Sequence, residues 1–168
     1  GSAAPDISTD GLWVVFSSTA DLVAGGNTDL NRELFVIGTG GSGLRQLTHT
    51  SGGANTSPVF SGDGLRITFS STAPLFQANP DGLADVYQLG FNGGGLTRLT
   101  ASHASVGALG LAGFPFGPPG GFATSQDGSR VALAAIGNYN WQNPDFLPEL
   151  WLIDLNAPCH LPVNASSA

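Results

Sequence analysis

Ser61-Gly62-Asp63-Gly64-Leu65-Arg66-Ile67-Thr68-Phe69-Ser70 decides the fold, because the chain says it three times. It is preceded by Ser8-Thr9-Asp10-Gly11-Leu12-Trp13-Val14-Val15-Phe16-Ser17 and followed by Ser125-Gln126-Asp127-Gly128-Ser129-Arg130-Val131-Ala132-Leu133-Ala134. A second phrase trails each copy. It runs Asn27-Thr28-Asp29 then Glu33-Leu34-Phe35, Asn79-Pro80-Asp81 then Asp85-Val86-Tyr87, and Asn143-Pro144-Asp145 then Glu149-Leu150-Trp151. The Asp of the first phrase and the acidic residue of the second lie 23, 22 and 22 residues apart. Two motifs held at one spacing through three copies define a repeat protein.

Turn chemistry divides each repeat into strands. Asp-Gly between apolar stretches is the strongest short hairpin signal, and it predicts a type I′ turn with positive φ at both central residues. Asp63-Gly64 would thus join Ser57–Phe60 to Leu65–Ser70. A third strand follows, from Glu33, Asp85 or Glu149. A Gly-rich turn then leads to Leu44-Arg45-Gln46-Leu47-Thr48, and in the second copy to Leu96-Thr97-Arg98-Leu99-Thr100. Four short antiparallel strands per ~50-residue unit is the blade of a β-propeller. One such sheet has two apolar faces, which only neighbouring sheets cover.

The reading is therefore all-β, with about three blades in this chain. Residues 1–52 form the first blade and 53–100 the second. Residues 101–121 are a Gly/Pro-rich apolar insert, 122–155 an incomplete third blade and 156–168 an irregular tail. Two prolines and no Gln-Leu-Thr ending argue against a regular outer strand after Leu155. The insert carries Leu109, Leu111, Phe114 and Phe116. These, with the lone Cys159, are candidate interaction residues, either packed over one mouth of the propeller or forming a contact surface.

Composition narrows the function classes. With 41% hydrophobic residues the chain is too apolar to be disordered, and its 25 Gly and 11 Pro suit many short strands and tight turns. There is no Lys, and the net charge is -7, which argues against phosphate neutralisation on nucleic acid and against docking on an anionic bilayer. No apolar run is long enough for a membrane span. One Cys excludes an internal disulfide framework. His49, His103 and His160 stand alone, without partners at metal spacing. No nucleophile elbow, phosphate loop or dinucleotide fingerprint occurs.

The Asn-x-Asp phrase is the best candidate for chemistry. Asn27, Asp29, Asn31 and Glu33 alternate, as do Asn79, Asp81 and Asp85 in part; the third copy offers Asn143, Asp145 and Glu149. Oxygen ligands at alternate positions in a tight loop suit Ca²⁺, which takes six to eight oxygens. The same residues would equally cap the turn through their own backbone.

The repeat resembles the TolB-like propeller repeat, also described as a WD-like Pro-Asp repeat. The resemblance rests on Ser57-Pro58-Val59-Phe60-Ser61-Gly62-Asp63-Gly64 through Phe69-Ser70-Ser71, and on the endings Leu47-Thr48 and Leu99-Thr100. It covers nearly the whole chain outside residues 101–124 and the tail. The third copy departs from it, with Phe122 in place of Pro5 and Pro58. The resemblance implies an extracytoplasmic bacterial protein, periplasmic or secreted, that makes protein contacts. It also implies six or more blades, which this chain does not have. Residues and resemblance together set the expectation of a non-catalytic protein-binding or assembly scaffold, not an enzyme, with Ca²⁺ at the Asn-x-Asp loops as its one candidate cofactor. Its partner would be another protein or a second copy, as a homodimer closing six blades or a filament. Two alternatives stay open: a propeller fragment accessory to a hydrolase or peptidase, and a self-assembling extracellular structural protein.

Overall fold

The structure is a computed structural model, and it describes residues 1–75, 84–100, 122–135, 149–157 and 161–162. Within these residues the chain is all strand and turn, in three antiparallel sheets of four strands. The first sheet is β1 (Ser2–Ile7), β2 (Trp13–Ser18), β3 (Glu33–Gly38) and β4 (Arg45–Gln46), paired in chain order. The second is β5 (Asn55–Phe60), β6 (Arg66–Ser71), β7 (Asp85–Gly90) and β8 (Thr97–Arg98). The third is β9 (Phe122–Thr124), β10 (Arg130–Ala135), β11 (Glu149–Asp154) and β12 (Leu161–Pro162). These are the blades of a β-propeller.

The third blade is thus not left without an outer strand. Trp151 pairs with Pro162 and Leu152 with Leu161. Outer strands here are only two residues long in every blade, so little ladder is needed, and the sheet edge tolerates a proline.

The central strand pairs of the three blades are in one register. Val14 faces Ile37, Ile67 faces Leu89 and Val131 faces Ile153. Because strand side chains alternate, each blade has two faces. The leading face, toward the preceding blade, carries Ile67, Phe69, Tyr87 and Leu89 in the second blade. The trailing face carries Val15, Leu34 and Val36 in the first. These two sets, with Leu47 and Phe60, form one buried core between blades one and two. A second core joins Val86 and Leu99 of blade two to Val131, Leu133, Trp151 and Ile153 of blade three.

Polar contacts fasten both seams. Between blades one and two, the Asp6 carboxylate accepts from Phe60 N at 2.7 Å, and the Arg45 guanidinium donates to Phe91 O at 3.0 Å. That guanidinium also lies 4.4 Å from the Phe91 ring centroid. Between blades two and three, Gln88 Nε2 donates to Gly128 O at 2.8 Å and Thr124 Oγ1 to Phe60 O at 2.8 Å.

The Asp-Gly hairpins are not type I′. Only the glycines have positive φ, +71° at Gly11, +72° at Gly64 and +67° at Gly128. Gly64 N donates to Ser61 O and Ser61 N to Arg66 O, both at 2.9 Å, which makes a four-residue loop around a type I turn. The Asp contributes its side chain instead of a left-handed backbone. Asp63 Oδ1 accepts from Ser61 Oγ at 2.6 Å and Leu65 N at 2.9 Å, while Ser61 Oγ accepts from Arg66 N at 3.0 Å. Ser8–Asp10 and Ser125–Asp127 repeat the same arrangement. This is the physical content of Ser-x-Asp-Gly. Hydrogen bonds from Ser8 Oγ and Leu12 N hold the Asp10 carboxyl below the usual carboxylate range, and those from Ser125 Oγ and from Ser129 N and Oγ do the same for Asp127.

The inner strands β1 and β5 also share a bulge, between Ala3 and Asp6 and between Thr56 and Val59. At each, the residue before proline is left-handed, Ala4 at φ 49° and Ser57 at φ 55°. β9, with Phe122 at the proline position, pairs with β10 without a register shift.

Candidate functional site

The repeated acidic residue that opens the third strand of each blade is consumed by the fold where it is described. Glu33 is 1% exposed and its carboxylate accepts from Thr48 Oγ1, from Thr50 N and Oγ1 at 2.6 Å, and from Asn55 Nδ2 at 2.9 Å. Thr48 Oγ1 in turn accepts from Leu34 N at 2.9 Å. In the second blade Asp85 is fully buried, paired with Arg98 and bonded by Thr100 Oγ1 at 3.1 Å, and Thr100 Oγ1 accepts from Val86 N at 2.9 Å. The Leu-Thr ending and the acidic residue are therefore two halves of one clip between the third and fourth strands. Both carboxylates are buried with their charge met, by neutral donors at Glu33 and by an arginine at Asp85, as burial requires.

Asn27 and Asn31 are brought beside this clip; Asp29 is not. Asn27 Nδ2 donates to Asn31 O at 2.9 Å, and Asn31 Nδ2 to Thr50 O at 2.7 Å. Asp29 is exposed. The Asn27 and Asn31 amide oxygens are buried and meet no donor among the described residues. They are the oxygens this loop retains for a cation or a bound water, and Ca²⁺ would need several more. No group of three or more His, Cys, Asp or Glu placed to hold a metal occurs among the described residues. Asn79, Asp81, Asn143 and Asp145 lie outside the described residues, as do Leu109, Leu111, Phe114, Phe116 and Cys159, and the Glu149 side chain is not described.

The larger feature is one that residue-by-residue reading missed. Equivalent positions of the three blades differ in what covers them. In blade two the leading face is closed: Phe60 is 6% exposed, Ile67 and Phe69 0%, and Tyr87 and Leu89 2%. The same positions in blade one are Ile7, Val14, Phe16, Phe35 and Ile37. Ile7 is 56% exposed, and Val14, Phe16 and Ile37 are half-buried. Phe35 alone is covered there; Phe16 stacks on it with centroids 5.8 Å apart. The trailing faces show the same contrast at the other end. Leu34 and Val86 are fully buried, while Leu150 of blade three, at their position, is 47% exposed beside half-buried Ala132, Ala134 and Leu152. The described residues therefore present two apolar blade faces of opposite kind, one on blade one and one on blade three.

No protein-family model matches the chain, and no curated protein matches it by sequence. Solved structures do. TolB from Acinetobacter baumannii is similar at TM-score 0.58 and 19% identity over 98% of this chain and 33% of that one. A putative TolB from Agrobacterium tumefaciens is similar at 0.57 and 18%, over 95% and 45%. Puromycin hydrolase is similar at 0.57 and 15%, over 98% of this chain and 22% of its own. These likenesses show the propeller fold. The chain spans 33% and 45% of the length of the two TolB structures.

Proposed function

We propose that this chain is a non-catalytic binding and assembly scaffold, made of TolB-like propeller blades, that takes up protein through its two end faces. One observation carries this. The residues that seal one blade against the next recur, position by position, on faces that the described chain leaves open. An apolar protein surface is the chemistry that fits them, because the internal seams already show what covers such a face. Self-association, as a homodimer or a filament, is one form of this binding. The resemblance to TolB-like repeats supports a place outside the cytoplasm. The likeness to puromycin hydrolase favours one second reading, blades that serve a hydrolase.

The test uses Ile7 and Leu150, the most exposed positions of the two faces. The purified chain either forms particles of more than one chain or, as a monomer, lights an apolar dye. Ile7→Arg combined with Leu150→Glu removes whichever is seen and leaves the melting transition in place. A wild-type monomer that binds no dye would mean that the end faces are closed, and would overturn the reading.

A further inference from the structure

We infer that a hard cation is bound inside the first blade, on the amide oxygens of Asn27, Asn31 and Gln46, in the place that Arg98 takes in the second blade. The site lies between Asp21 and Thr50 and does not depend on what covers the blade faces. Three buried side-chain oxygens among the described residues meet no donor: Asn27 Oδ1, Asn31 Oδ1 and Gln46 Oε1. Asn27 is only 1% exposed. The nitrogens of the same amides fix which way each one points. Asn27 Nδ2 donates to Asn31 O at 2.9 Å and Asn31 Nδ2 to Thr50 O at 2.7 Å. Gln46 Nε2 donates to Gly26 O at 3.0 Å and to Thr48 O at 2.8 Å. Turning any of these amides over would set its oxygen against a carbonyl oxygen. The three side chains gather on one turn, since Gly26 holds Gln46, Asn27 follows Gly26, and Asn27 holds Asn31. A Cβ on Gly26 would lie 2.5 Å from Gln46 Oε1, so the glycine keeps that oxygen uncovered.

A group of acceptors suits a cation better than a water. A buried water makes about three hydrogen bonds with two hydrogens, so it needs a donor as well, and the amide nitrogens here are turned to protein oxygens. Charge points the same way. Gln46 pairs with Phe35 as Arg98 pairs with Tyr87, so the two hold one position in their blades. Gln46 Nε2 donates to Thr48 O as Arg98 Nε does to Thr100 O, each at 2.8 Å. From there the Arg98 guanidinium reaches on to buried Asp85. Gln46 ends instead in an oxygen, and Glu33, the counterpart of Asp85, pairs with no arginine among the described residues. Glu33 acts through its charge and not as a ligand, because Thr48, Thr50 and Asn55 already bond both of its oxygens. Asp21 brings a second carboxylate to the turn, accepting from Gly25 N at 2.8 Å and from Gly26 N and Asn27 N at 3.0 Å. Two carboxylates thus draw the cation and neutral amide oxygens hold it, with water completing its shell as in Ca²⁺ sites.

Melting curves of the purified chain at one fixed ionic strength test this. Three media are compared: tetramethylammonium chloride with chelator, sodium chloride with chelator, and tetramethylammonium chloride with millimolar Ca²⁺. A cation bound only by the folded chain should raise the melting temperature by about 3–10 °C at roughly ten to a hundred times its dissociation constant. A rise in sodium chloride assigns a monovalent ion to the site, and a rise with Ca²⁺ alone assigns a divalent one. Gln46→Arg should erase the rise, because the guanidinium then supplies the charge as Arg98 does. That variant should melt in tetramethylammonium chloride no lower than the wild type. Asn27→Asp, a carboxylate of the same shape, should instead enlarge the rise and lower the cation midpoint by about tenfold or more, since ligand charge tunes such affinities. No rise for the wild type in either cation would overturn the proposal and leave these oxygens to water. A rise of unchanged size and midpoint in whichever of the two variants folds would put the cation elsewhere and overturn the site.

Discussion

Phe69 and Phe16 occupy one position in two blades, and both stack on the aromatic residue across the strand pair, Tyr87 and Phe35, at 5.8 Å. Phe69 is fully buried and Phe16 only half-buried. The difference lies in the neighbour, since blade one covers Phe69 and no blade among the described residues covers Phe16. A repeat unit carries the same apolar investment wherever it sits, but that investment contributes to stability only where a second sheet lies against it. Among the described residues the second blade is therefore held from both sides and the first and third from one.

The sharpest way to break this comparison is to truncate both rings. Phe69→Ala should cost about 3–5 kcal/mol, the range for emptying an aromatic site in a packed core. Phe16→Ala in the monomeric chain should cost roughly 1–2 kcal/mol, because part of its ring already meets water. Urea unfolding at low protein concentration measures both. Equal costs would mean that a covering surface for Phe16 forms within the single chain.

A smaller effect separates two copies of one turn. Gly64 and Gly128 share a left-handed backbone, but a Cβ on Gly64 meets open space, whereas one on Gly128 lies 2.8 Å from Arg66 Cδ and 3.2 Å from Ser61 Cβ. Gly64→Val should cost about 2 kcal/mol, from backbone strain alone. Gly128→Val adds overpacking against blade two and should cost about 3 kcal/mol or more. If the two variants unfold at the same urea concentration, the seam between blades two and three is looser than these distances indicate.

The smallest effect expected is one of pH. Asp10 and Asp127 have carboxyl groups held below their ordinary pKa by the turn hydrogen bonds. A depressed folded pKa gives stability that is complete above the unfolded value, about 4, and is lost as pH falls through the folded value. The urea midpoint should thus fall between about pH 5 and pH 2, and fall less in Asp127→Asn. A midpoint that falls equally in the variant would assign the acid sensitivity to other carboxylates.

Much of the fold was legible in the residues. The triple Ser-x-Asp-Gly phrase, the alternating apolar positions and the acidic residue opening each third strand give blades, strand order and hairpins. All of these are set by contacts within a few residues. The turn type was misread because the Asp-Gly rule supposes a two-residue loop, while the Ser and Asp side chains close a longer one. The fourth strand of blade three was missed because two paired residues are too few to show periodicity. The candidate ligands were legible as oxygens at alternate positions. Their use by the fold was not, since the Glu33 partners Thr48, Thr50 and Asn55 come from the end of one blade and the start of the next.

By itself, then, the sequence determined what a blade is and that there are three of them, because strand alternation and turn hydrogen bonding are local. Only the tertiary structure decided which faces are sealed and which are open. Phe16 and Phe69, or Leu34 and Leu150, read alike along the chain, and burial is a property of the surface laid against a residue, not of the residue.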